Sequence, residues 1–109
     1  MSSPTQRSLA LLRERGYIAD VVERWIPFAR VRRDLFGIID IVAIGNGETL
    51  GVQACCYSDV SKRVIKINAA PASPVLRESG WRVVVLGWRK VKGRWTAREV
   101  EITAKEKIK

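Results

Sequence analysis

The chain has 109 residues, 47% of them hydrophobic, and carries a formal charge of +9 with no histidine. That is one domain's worth of polypeptide, with too much apolar content for a disordered basic tail. Without histidine there can be no Ser-His-Asp triad, HExxH zinc site or nuclease with a His general base, and two adjacent cysteines, Cys55 and Cys56, provide neither a disulfide framework nor a four-ligand zinc site.

Pro4 and the polar residues after it read as a helix start. Leu9, Leu11 and Leu12 form an apolar stripe, and Gly16 is a natural stop, so an amphipathic helix is predicted over 5–15. Tyr17 to Trp25 is rich in β-formers and predicts a strand. Ile26 to Asp34, with Pro27 and three arginines, reads as a loop or short edge strand. Leu35 to Ile44 and Thr49 to Cys56 are apolar β-like runs separated by Gly45-Asn46-Gly47-Glu48. Asn-Gly is the preferred centre of a type I′ hairpin turn, which sets Gly45 against Glu48 and Ile44 against Thr49. Extending that register puts Asp40 opposite Gln53, with Cys55 on the same face.

Ser58 to Ala70 predicts a helix capped by Ser58 or Asp59, with Lys62, Arg63 and Lys66 on or beside its polar face. Pro74 to Ser79 reads as a short helical turn and Trp81 to Trp88 as a strong strand. Lys92-Gly93 reads as a turn, and Arg94 to Thr103 as a half-exposed strand. The interleaved Trp88–Trp95 segment fits base stacking, or tryptophans paired across a hairpin. The reading is a single domain over 1–104, followed by a basic tail over 105–109.

A charge of +9 on so short a chain favours a polyanionic partner, nucleic acid first and a membrane surface second. No apolar run is long enough to span a bilayer, and the opening Met1-Ser2-Ser3-Pro4 has no apolar h-region. A cytoplasmic setting among nucleic acids, with reduced thiols, is therefore expected. Arg30, Arg32 and Arg33 are the densest basic cluster and suit phosphate contacts, as do Lys62, Arg63 and Lys66.

Asp40 lies within Ile38-Ile39-Asp40-Ile41-Val42, where a carboxylate is costly unless paired or metal-bound. Gln53 is likewise embedded in Leu50-Gly51-Val52-Gln53-Ala54. Two polar residues set opposite each other by an independent turn argument point to a site.

At these residues the chain resembles the PD-(D/E)XK nuclease superfamily, especially its archaeal and phage Holliday-junction resolvase-like branch. Asp40 in Asp34-Leu35-Phe36-Gly37-Ile38-Ile39-Asp40 matches the family's metal-binding Asp, and Gln53-Ala54-Cys55 falls where its D/E-x-K tripeptide stands. The chain is also similar to phage-type proteins through Gly16-Tyr17, Val22-Glu23-Arg24-Trp25, the Asp34–Asp40 motif and Gly51-Val52-Gln53. The resemblance implies an α/β, restriction-endonuclease-like αβββαβ core with a mixed central sheet, here with an extra C-terminal strand. It implies Mg²⁺ or Mn²⁺ held by Asp40, Gln53 and the Ala54 carbonyl, and a homodimer cutting DNA.

The departures are as specific as the match. Gln53 replaces the family's acid, Cys55 occupies its lysine position, and the first helix has no Glu near Thr5. Glu23 and Asp34 are the available replacement carboxylates, Asp34 only if Phe36-Gly37 bends back toward Asp40. Lys62 or Lys66 is the available replacement lysine. Two functions compete: a metal-dependent, structure-selective DNA endonuclease resembling Holliday-junction resolvases, and a catalytically inactive DNA-binding module on a nuclease-like fold.

Overall fold

A computed structural model describes residues 3–103; the basic tail over 105–109 lies outside the described residues. Helix α1 (Pro4–Glu14) begins where expected: the Ser3 hydroxyl accepts from the Gln6 N–H at 3.2 Å, and Pro4 occupies the first turn. It packs Leu9 and Leu12 on one face of a five-stranded sheet, against Ala43, Leu50, Val52, Val84 and Leu86. The sheet runs β1 (Ile18–Val21), β4 (Ile41–Gly45), β5 (Glu48–Cys56), β6 (Trp81–Val91), β7 (Arg94–Ile102) across its width. Helices α2 (Val60–Ala69) and α3 (Ala72–Glu78) cover the other face, burying Val60, Ile67 and Leu76 with Val83 and Val85. β6 is apolar without alternation because it is buried on both sides: Val83 and Val85 face one helical layer, Val84 and Leu86 the other.

The sheet is mixed. β5 and β6 are parallel, joined by α2 and α3, and the other three pairings are antiparallel. The β4–β5 hairpin has the expected register, Gly45 against Glu48 and Ile44 against Thr49, around Asn46 (φ 52°) and Gly47 (φ 77°). No helix among the described residues is long and apolar enough to cross a membrane.

Four elements differ from the sequence reading. The expected strand over 17–25 is two strands in different sheets, because the chain leaves the main sheet at Val22-Glu23. The stretch over 26–34 does contain a short strand, β3 (Val31–Arg33), but it pairs with β2 (Arg24–Ile26) in a separate antiparallel hairpin instead of edging the main sheet. The apolar run from Leu35 is strand only from Ile41. Leu35 to Ile39 is a tight turn, with Phe36 (φ 56°) and Gly37 (φ 80°) at its centre and a bridge between its ends. Ile38 and Ile39 are apolar because they plug the core beneath that turn. Lastly, Trp88 and Trp95 do not pair across the β6–β7 hairpin. Trp88 faces Ala97 and donates to the Ser8 hydroxyl at 2.9 Å, while the Arg7 guanidinium lies 3.3 Å from the Trp95 ring centre.

One close approach fixes α2 on the sheet. A Cβ at Gly87 would lie 2.1 Å from Val60 Cγ2 and 3.2 Å from the Tyr57 Cα. Neither a stiff β-branched side chain nor backbone yields readily. Gly87→Ala is expected to cost about 1–3 kcal/mol of stability, read as a lowered urea midpoint with an unchanged slope.

Candidate metal centre and its basic surround

The turn at Phe36-Gly37 folds Asp34 back beside Asp40, and the break after β1 brings Glu23 to the same point. One carboxylate oxygen from each of Glu23, Asp34 and Asp40 lies within 4.8 Å of the other two. The three come from the β1–β2 link, the start of the turn and the entrance to β4. Asp40 is buried, while the side chains of Glu23 and Asp34 retain 16% and 18% exposure, which opens the cluster to solvent on one side.

Each acid is held differently. Asp40 Oδ2 accepts from the Ala54 N–H at 3.0 Å. Asp34 Oδ2 accepts from Gln53 Nε2 at 3.1 Å and lies 4.0 Å from Lys66 Nζ. Glu23 Oε2 accepts from the Arg32 guanidinium at 2.6 Å. Burial pushes the Asp40 carboxyl up to about 7, and a hydrogen bond with Asp34 adds to the effect; the Ala54 N–H opposes it. Asp34 and Glu23 also raise it through like charge. The trio is thus short of positive charge at its buried end.

Gln53 does not face Asp40 as a ladder partner, because β4–β5 pairing ends at Ile41–Val52. Its amide is fully buried and committed to protein groups. Nε2 donates to Asp34 and, at 2.8 Å, to the Ile38 carbonyl, and Oε1 accepts from Arg63 at 3.2 Å. Acceptors on one side and a donor on the other fix which way the amide points. The oxygen expected to meet a metal therefore points at Arg63, and Gln53 acts as the brace that holds Asp34. Ala54 meets Asp40 through its N–H. Cys55 is buried in the core between the sheet and α2, and burial pushes its thiol up to about 11. A protonated, packed thiol is a poor nucleophile.

Of the basic residues singled out in the sequence, Arg63 and Lys66 reach the site. Lys62 is exposed on α2, and among the described residues no hydrogen bond or ion pair joins it to the acids. Arg32 is engaged by Glu23. Arg30 sits in the β2–β3 turn with φ 54°, and Arg33 lies directly across that hairpin from Arg24. Arg24, exposed beside the acids, was missed in the sequence. The signal that could have found it was the spacing of Arg24 and Arg33 about a Pro-led turn.

Three carboxylates offering only oxygen suit a hard divalent cation such as Mg²⁺ or Mn²⁺. The undercompensated burial of Asp40 fits the same group, since a cation there would restore its charged form. No family model, curated protein or solved structure matches the chain.

Proposed function

We propose that the protein is a metal-dependent DNA endonuclease of the restriction-endonuclease-like class, resembling Holliday-junction resolvases. The observation that carries this reading is the convergence of Glu23, Asp34 and Asp40 on one point, flanked by Lys66, Arg63 and Arg24. An α-helix, an antiparallel strand meander, a helical crossover and a parallel strand is also the element order that class would require.

In this reading Glu23, Asp34 and Asp40 hold Mg²⁺ or Mn²⁺, which when bound activates water and neutralises charge developing on the phosphodiester. Gln53 replaces the acid of the D/E-x-K tripeptide by holding Asp34 through its amide. Lys66 replaces the lysine from α2, placing a cation beside Asp34 where the tripeptide has Cys55. Arg24 and Arg33 receive the strand's phosphates, and DNA branches supply the exposed backbone the site can reach. A homodimer would present two such sites to a symmetric junction.

The commitment of Gln53 to Asp34 and Arg63 also favours the second reading, a DNA-binding module that no longer cuts. Cleavage of a synthetic four-way junction in Mg²⁺ or Mn²⁺ decides between them. Wild type is expected to nick it and Asp40→Ala to lose at least about 100-fold in rate, since the cation's contribution is several kcal/mol. Junction binding by wild type with no cleavage in either metal would establish the module.

A further inference from the structure

We propose that the β2–β3 hairpin is an arm that binds an unpaired DNA strand and leads it to the acidic cluster. The proposal rests on the nuclease reading for where the strand ends, and on independent geometry for the arm itself.

The hairpin spans residues 24–33 and contains four arginines and no acid. Among the described residues its two strands pair only with each other, apart from the main sheet. The turn is stiffened by Pro27, by the Arg30 N–H donating to the Ile26 carbonyl at 2.7 Å, and by left-handed Arg30. Phe28 stands at the tip, 93% exposed, where a phenyl ring contributes nothing to the core. Trp25 is also more than half exposed. Phe28, together with the half-exposed Val31 on the same face, leaves apolar surface at the arm's tip open to a partner.

The strand register sorts the arm into two faces. Arg24 lies opposite Arg33 and Ile26 opposite Val31, so these four share one side; Trp25 and Arg32 share the other. Two arginines directly opposed on a hairpin of three pairs repel each other, a cost that an anion between them would remove. The first face with Phe28 forms an open groove of about 300 Å³. A second groove, of about 280 Å³, contains the same Arg24 and Arg33 together with Phe36 and Asp34. The two grooves are neighbours that share the arginine pair, one reaching to the aromatic tip and the other to a member of the acidic trio. Phe36 is half exposed and rests edge-on against Trp81, which gives the inner groove its own aromatic face.

That order is an aromatic face, a pair of cations, then a second aromatic face beside carboxylates. It matches a strand whose bases stack and whose phosphates are counted by arginine. A duplex keeps its base faces covered and offers nothing to Phe28. An unpaired strand at a branch or end offers them freely. The Arg32–Glu23 ion pair links the arm to the cluster.

The test is binding of a fluorescein-labelled oligo-dT of about 20 nucleotides, in EDTA, by full-length protein, against a duplex of equal length. Phe28→Ala is expected to weaken oligo-dT binding about tenfold, from the cost of one lost base stack, and to change duplex binding by less than about twofold. Phe28→Trp is expected to restore it. Arg24→Ala with Arg33→Ala should lower the slope of log affinity against log salt by about 1.4 on the single strand. Phe28 is at a solvent-exposed tip, and urea unfolding of each variant checks that the fold is unchanged. Equal oligo-dT affinity for wild type and Phe28→Ala overturns the arm. So does a dimer in sedimentation that Phe28→Ala abolishes without touching DNA binding, because the apolar face would then serve a second copy. Because EDTA removes catalysis, an intact arm with no cleavage in any metal sinks the nuclease reading alone. Cleavage with Phe28-independent binding sinks the arm alone.

Discussion

Replacing Gln53 with leucine is expected to lower the unfolding free energy by about 2–4 kcal/mol, because a lost partner leaves each buried polar group to bear its own desolvation cost. The leucine has nearly the right volume, so little of this arises from packing. Asp34, the Ile38 carbonyl and Arg63 each lose a hydrogen bond at once. Gln53→Glu separates the brace from a ligand. The shape is kept, but an anion now faces the Asp34 carboxylate 3.1 Å away and the Ile38 carbonyl 2.8 Å away, where Nε2 had donated to both. Arg63 compensates one oxygen only. In EDTA this variant should therefore be less stable than wild type, and Mg²⁺ should recover more of its melting temperature than it adds to wild type. Glutamate as stable as glutamine without metal would show that the amide's donors do not hold Asp34.

The position of Gln53 shows how far the sequence could be read. Its depth in the sheet was legible because a type I′ turn counts residues outward on both strands, and the register held from Gly45–Glu48 to Ile41–Val52. Its partner was not, because the rule ends where the ladder ends. One residue beyond, Asp40 turns its carboxylate to the Ala54 N–H and leaves Gln53 to Asp34. The run Leu35–Ile44 misled for a related reason. Continuous apolarity marks burial and does not distinguish a strand from a plug, and Phe36-Gly37 takes positive φ without the Asn-Gly signature. Phenylalanine in that conformation is uncommon enough that sequence alone favours a strand.

The replacement acids were legible as types and not as a cluster. Glu23 and Asp34 were the carboxylates in reach, and only the turn decides that six residues of chain double back instead of extending. The arm was hidden differently. Strand propensity over 17–25 gives no hint that the chain changes sheets at Val22-Glu23, because each half is a good strand by itself. What marks the break is tertiary: the Val22 N–H donates to the Asp40 carbonyl at 2.8 Å, and pairing with the main sheet stops there.

In metal-free buffer the protein is expected to lose stability as pH rises from about 5 to about 7, the reverse of the usual carboxylate behaviour. The sign follows from proton counts. Asp40 has an ordinary value of 3.8 when unfolded and about 7 when folded, so between these the native state holds the extra proton. Stability from this group is fully present below pH 3.8 and is lost as pH climbs through 7. The change is about 2–4 kcal/mol, somewhat less than the full shift converted at about 1.4 kcal/mol per unit, because water reaches one side of the cluster. Glu48 and Glu101 act oppositely. Tyr17 and Arg82 hold Glu48, and Arg82 holds Glu101, below the ordinary value of 4.5, so their stabilisation is lost only as pH falls beneath it. The two trends leave a stability maximum near pH 5. Asp40→Asn keeps the shape, removes the titration, and should flatten the profile between pH 5 and 8 while raising stability at pH 8. A cation that binds the charged trio opposes the same slope. At ten times its dissociation constant Mg²⁺ adds about 1.4 kcal/mol to wild type at pH 8, and much less at pH 5, where protons occupy the site. Urea unfolding of both proteins at pH 5, 6.5 and 8, with EDTA or Mg²⁺, reads all of these terms. A wild-type profile in EDTA that rises with pH would mean that Asp40 is charged in the native state and that the site holds its negative charge without help from a metal.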